Sequence, residues 1–126
     1  MVACVEGELH DLGARMVADF LEMAGFEVNY LGANVPAESL AELVHARRPD
    51  LLALSATAGP HVAALRRAIV AVRGIAGDPI PIAAGGQVFL RKRGLGRRLG
   101  VDIHAPDARG AIAAVQRFFG LESARP

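Results

Sequence analysis

Val2-Ala-Cys-Val-Glu-Gly-Glu-Leu-His-Asp-Leu-Gly13 is the stretch from which the rest of the chain is read. An apolar run stops at Val5, a glycine turn follows, and a helical pattern begins near Asp11. The turn carries Glu8, His10 and Gly13 in the spacing Glu-x-His-x-x-Gly. In extended backbone, residues two apart share a side, so Glu8 and His10 are expected next to each other at a strand end. A carboxylate that accepts the proton of one ring nitrogen fixes the histidine tautomer and frees the other nitrogen to ligate a metal. Gly13 lies one turn along the helix and has no side chain, so a bulky group can approach the backbone there. A polar helix cap is the plainer reading of His10, and this motif alone does not separate the two.

Outward from that stretch, apolar runs and helical patterns alternate. Leu12, Met16, Val17, Phe20, Met23 and Ala24 form one apolar face of a helix over 11–24 that Gly25 closes, with Arg15, Asp19 and Glu22 opposite. A second strand is expected over Glu27–Leu31, and a second helix opens at Val35-Pro36 and ends at Pro49. Leu51–Leu54 is an unbroken apolar run, as for a strand covered on both faces. A third helix runs from Gly59-Pro60 to Gly74. Ile80–Ala84 is the fourth strand, begun late because of Pro81. Residues 87–99 read as a weak helix interrupted at Gly94 and Gly96, and Val101–Ile103 as a short fifth strand. Asp107 caps a last helix with Ile112, Val115, Phe118 and Phe119 inward. Five strand-helix units predict an α/β domain over 1–120 with a C-terminal tail over 121–126. Its architecture is a doubly wound, five-stranded parallel sheet, flavodoxin-like (Rossmann-like), in the order 2-1-3-4-5.

The chain has 126 residues and a formal net charge of +1, so no broad field calls for nucleic acid or an anionic membrane. Its one cysteine, Cys4, excludes an internal disulfide and fits a reducing cytoplasm, with a buried, inert thiol expected. No signal peptide is visible, and no apolar run is long enough to span a bilayer. With Met1 directly before the first strand, the domain is either free-standing or part of a longer parent. Arg91-Lys-Arg93 with Arg97 and Arg98 is the one strong charge run, read as a solvated face or a docking patch for a partner.

Ligands on such sheets sit beyond the carboxyl ends of the strands, where the strand order reverses. Those ends carry Glu8, His10 and Gly13, then Ser55, Ala56 and Thr57, then Gly85 and Gly86, then His104 and Ala105. Small residues dominate, which implies a deep slot between backbones; no catalytic residue is assigned. A receiver domain needs an aspartate where Ser55 stands, and a dinucleotide site needs a Gly-x-Gly-x-x-Gly turn that is absent here.

Together these residues resemble the cobalamin-binding domain family, whose signature is Asp-x-His-x-x-Gly, then Ser-x-Leu, then Gly-Gly. Here they read Glu8-Leu-His10-Asp11-Leu-Gly13, then Ser55-Ala-Thr57, then Gly85-Gly86. Gly25-Phe-Glu, Leu31-Gly-Ala-Asn-Val-Pro36 and Gly100-Val-Asp-Ile-His-Ala-Pro-Asp107 extend the resemblance along nearly the whole chain. It implies cobalamin, as adenosylcobalamin or methylcobalamin, held with its own benzimidazole off the metal and His10 as lower axial cobalt ligand. Glu8 would partner His10, Ser55 would bond the nucleotide tail, and the paired glycines would admit that tail. Three departures stand out: Glu8 replaces aspartate, Thr57 replaces leucine, and His61 replaces a serine that extends the histidine-carboxylate relay in the methyltransferases, so that relay does not carry over. The Gly-Glu-x-His form with Tyr30–Pro36 is closer to cobalamin domains of sensors and regulators. The reading is therefore a cobalamin-binding module serving a sensor or transcriptional regulator. The alternatives are a corrinoid carrier of a methyltransferase system and an association domain with a vestigial site. A helical cap or partner domain is implied, no direct nucleic-acid contact is, and homo-oligomerisation stays open.

Overall fold

The structure, a computed structural model, describes residues 1–105 and 107–121. Pro106 and residues 122–126 of the expected tail lie outside the described residues. Five parallel strands, β1 (Val2–Val5), β2 (Tyr30–Val35), β3 (Leu52–Ser55), β4 (Ile82–Gly85) and β5 (Ile103–Ala105), pair in the order β2-β1-β3-β4-β5. This is the doubly wound order that the alternation of strands and helices predicts. The order reverses between β1 and β3, which places the first loop and the Ser55 loop side by side: Cys4 pairs with Ser55, and Ser55 with Gly85.

The strands alternate strictly between two cores. Ala3 and Val5 face a core with Leu40, Leu52, Leu65 and Ile82. It is covered by α2 (Ala37–Arg47), α3 (His61–Arg73) and the short α4 (Val88–Arg91) and α5 (Leu95–Leu99). Val2 and Cys4 face the other core, with Ala14, Ala18, Leu21, Ala83, Ile103 and Val115, covered by α1 (Leu12–Met23) and α6 (Ala108–Phe118). The first core is filled with large aliphatics; the second is built mainly from small ones.

Five expectations need correction. The second strand starts at Tyr30, three residues later than read, and runs on to Val35. After Gly25 the Phe26 N–H returns to Leu21 of α1, so pairing with β1 begins only at Tyr30. Gly32 and Asn34, both at positive φ, then let an irregular edge strand continue where a glycine suggested an end. The fifth strand lies two residues later than read, because Val101 N–H closes α5 on Gly96 and the Asp102 carboxylate caps the Ile82 N–H at 2.9 Å. Gly94 divides the weak helix as expected, but Gly96 lies inside α5, where a Cβ would strike the His104 ring. The buried face of α1 is Ala14, Ala18 and Leu21, whereas Leu12 and Met23 are 70% and 81% exposed. Alanines let the helix sit close to the sheet and α6, and the larger residues turn outward. Phe118, expected inward, is 46% exposed and meets Phe119 edge-on.

Leu65→Ala, in the filled core, should lower stability by about 2–5 kcal/mol, the usual cost of a core truncation. Leu12→Ala should change it by no more than about 0.5 kcal/mol. Urea unfolding of the two variants checks both.

Candidate functional site

The loop from β1 to α1 is held open by its neighbours. Gly7, at φ +86°, turns the chain in a conformation suited to glycine. Asn34 of β2 then secures the turn: its side-chain oxygen accepts the Gly7 N–H at 2.8 Å, and its own N–H donates to the Glu8 carbonyl at 2.9 Å.

The Glu8 side chain is completely buried. Oε1 accepts the His10 backbone N–H at 3.0 Å, and the His10 ring Nδ1 stands 3.4 Å away. Oε2 accepts the Thr57 backbone N–H at 2.8 Å and lies 2.8 Å from Nδ1 of His61, the first residue of α3. Two bare acceptors would repel at that distance, so the His61 Nδ1 carries a proton and donates it. The Ala58 N–H, 3.3 Å from the same nitrogen, is then not its donor. Burial works to raise the Glu8 pKa, but the Thr57 N–H and hydroxyl, the His10 N–H and the nearby His61 hold it below its ordinary 4.5.

His10 contrasts with its partner, with its side chain 86% exposed at the carboxyl edge of the sheet. Gly13 leaves open space beside it: nothing stands within 4 Å of where its Cβ would be. Asp11 precedes α1 without capping it, and its Oδ2 accepts the Tyr30 hydroxyl at 2.9 Å. Burial, then Asp11, push that hydroxyl up to about 12, and Arg15 lies over the same ring. Burial likewise raises the Cys4 thiol to about 11, which makes it the inert thiol expected.

Behind the loops, between the sheet and the pair α1 and α6, lies a cavity of about 110 Å³. Ser55, Gly85, Gly86 and Gly13 line it, together with Ala53, Ala83, Ala14 and Ala111. This is the slot that the small residues at the strand ends imply. The paired glycines also meet a second constraint. A Cβ on Gly86 would collide with the Ala56 carbonyl, and one on Gly85 would sit 2.8 Å from the Ala105 carbonyl. Both glycines are required by the packing of the loop backbones themselves, so a bulky residue there disturbs the fold as well as the slot.

Three contributors were not legible as such. Thr57, noted for a missing leucine, serves through its backbone N–H and hydroxyl. His61, read as breaking a relay, reaches the carboxylate with its ring; its signal was its place six residues after Ser55. Asn34 gave no signal beyond its motif. His104 is exposed and stacks against Phe89 at 6.5 Å, away from Glu8.

A carboxyl with a lowered folded pKa stabilises the fold above its ordinary value and loses that contribution as pH falls through the lowered one. Stability should therefore fall with acid below about 4.5. Glu8→Gln should lower stability at neutral pH and flatten this acid limb. His61→Phe should act in the same direction and His61→Asn, which keeps a donor, less so. Urea midpoints measured across pH check all three.

Residues 1–116 match the family model of the B12 binding domain. Dimethylamine corrinoid protein 1 of Methanosarcina acetivorans is 40% identical over 52 residues, 41% of this chain and 24% of that protein. The trimethylamine corrinoid protein of Methanosarcina barkeri is 38% identical over 55 residues, 44% of this chain and 25% of that protein. These matches span about a quarter of the relatives' length. A cobalamin-binding protein from Desulfitobacterium hafniense superposes with a TM-score of 0.81 at 26% identity, over 92% of this chain and 56% of that one. The monomethylamine corrinoid protein of Methanosarcina barkeri superposes at 0.80 over 92% of this chain and 55% of that one; at 24% identity it supports the fold alone. Among the described residues, no helix is long and apolar enough to cross a membrane. The chain belongs to the B12-binding domain family, and its cofactor is cobalamin.

Proposed function

We propose that this chain is the cofactor-holding domain of a corrinoid protein that carries methyl groups between partner proteins, with His10 as the lower axial ligand of cobalt. The carrier role replaces the sensor or regulator as the main reading, because the relatives are named as methylamine corrinoid proteins. The binding mode rests on one observation: a fully buried carboxylate stands behind an almost fully exposed imidazole, three residues before Gly13, which lines an apolar slot.

The residues fit the group. His10 offers an accessible Nε2, and Glu8 faces its Nδ1. The open space at Gly13 leaves room for a broad ring system, and the alkyl lining of the slot suits the flat base that ends the tail. Cobalamin supplies a cobalt that takes up and gives up the methyl group. The chain's own tasks are to hold, orient and shield. Glu8, fixed by Thr57 and His61, sets the His10 tautomer. Ser55, at the slot's mouth, offers a hydroxyl to the tail. The opposite side of the cofactor would face a helical cap or a partner protein, which brings the methyl donor and acceptor.

Loaded with methylcobalamin, the protein should give a base-off, histidine-on visible spectrum that His10→Ala abolishes. With a partner methyl acceptor, it should pass its methyl group on in the dark. A loaded protein that transfers nothing, yet changes its oligomeric state on illumination, would reverse the choice between carrier and sensor.

A further inference from the structure

Helix α1 turns its largest apolar side chains away from the domain. At about 3.6 residues per turn, Leu12, Met16 and Met23 fall within about 40° of one another, opposite the buried Ala14, Ala18 and Leu21. All three are exposed among the described residues. Half-buried Phe20 follows on one flank of this ridge, and the exposed Asp19, Arg15 and Glu22 follow on the other. Among the described residues, none of these three charged side chains is in an ion pair. Single exposed apolar residues are ordinary, but a contiguous ridge of large ones rimmed by charge marks an interaction site.

We infer that this ridge is the interface of a homodimer, in which α1 packs antiparallel against α1 of a second copy across a twofold axis near Val17 and Ala18. Leu12 then meets the second copy's Met23 at each end, and Met16 and Phe20 meet their counterparts near the axis. The twofold lays the charged flank against itself with its direction reversed. At a rise of about 1.5 Å per residue, Arg15 comes level with the space between Asp19 and Glu22 of the second copy. Each arginine so faces two carboxylates and no arginine. A parallel pairing would set the charged flank against Phe20 and gain none of these contacts. The pattern complements itself, which is the requirement of an isologous contact, and such a contact closes at two copies. One helix face is a small interface, so the dimer is a weak one that dilution dissociates. Because His10 directly precedes α1, the two cofactor sites stand at opposite ends of the helix pair.

The test is sedimentation velocity on the chain loaded with methylcobalamin and kept in the dark, over a dilution series from near-millimolar to low micromolar protein. A monomer-dimer equilibrium is expected. Arg15→Glu sets like charges against each other and should weaken the dimer at least about tenfold. Adding Glu22→Arg to that variant should recover part of the loss. Met23→Glu should also weaken the dimer at least about tenfold, because pairing would bury a lone charge against Leu12. Cobalamin loading and the urea midpoint of each variant should stay near the wild-type values, which separates a lost interface from a lost fold. A loaded chain that stays monomeric across the series would overturn the inference and leave the cobalamin reading standing; the ridge would then belong to a different protein. A dimer whose affinity ignores both Arg15→Glu and Met23→Glu would overturn it, because another face would hold the pair. Assembly beyond two copies would overturn it as well.

Discussion

Everything at the carboxyl edge of this sheet depends on one buried carboxylate. An ionised group without exposure is tolerated only where donors replace its water. Glu8 is supplied from its own loop by the His10 N–H, from the β3 loop by Thr57 and from the start of α3 by His61. Those three segments are distant in sequence, and the carboxylate ties them together. The longer glutamate, where the family has aspartate, is what spans from the first loop to the third. It leaves the His10 ring at 3.4 Å, close enough to orient but loosely held.

The two cores divide the work between stability and binding. The face under α2 to α5 is filled by leucine, isoleucine and valine and carries the packing. The face under α1 and α6 keeps alanines and a void. A ligand that fills it binds the folded state alone, so burying the tail also stabilises the domain. Gly13 of α1 and Ser55 of β3, next to the point where the strand order reverses, both line the void.

Most of the architecture is legible in the sequence because parallel strands buried on both faces leave unbroken apolar runs, and glycine and proline mark their ends. The residues of the site are legible for the same reason: strand ends in a parallel sheet all point to one edge. What was missed has particular causes. The bulged course of β2 through Gly32 and Asn34 cannot be separated from a strand end by periodicity. The inward face of α1 is an alanine row, and hydrophobicity favours the larger residues that turn out to be exposed. The bond from His61 to Glu8 joins positions 53 residues apart through a side-chain conformation that no local pattern encodes. The paired glycines line the slot, and their second task, the close approach to Ala56 and Ala105, has no signature in the sequence.

The central claim is that His10 itself binds cobalt. Electron paramagnetic resonance of the protein loaded with cobalt(II) cobalamin tests it most directly, because the axial nitrogen splits each cobalt hyperfine line. The account predicts a splitting pattern that changes when the protein's histidines carry a nitrogen isotope of different nuclear spin, and that is lost in His10→Ala. A pattern that ignores the histidine label, or that His10→Ala retains, would contradict it.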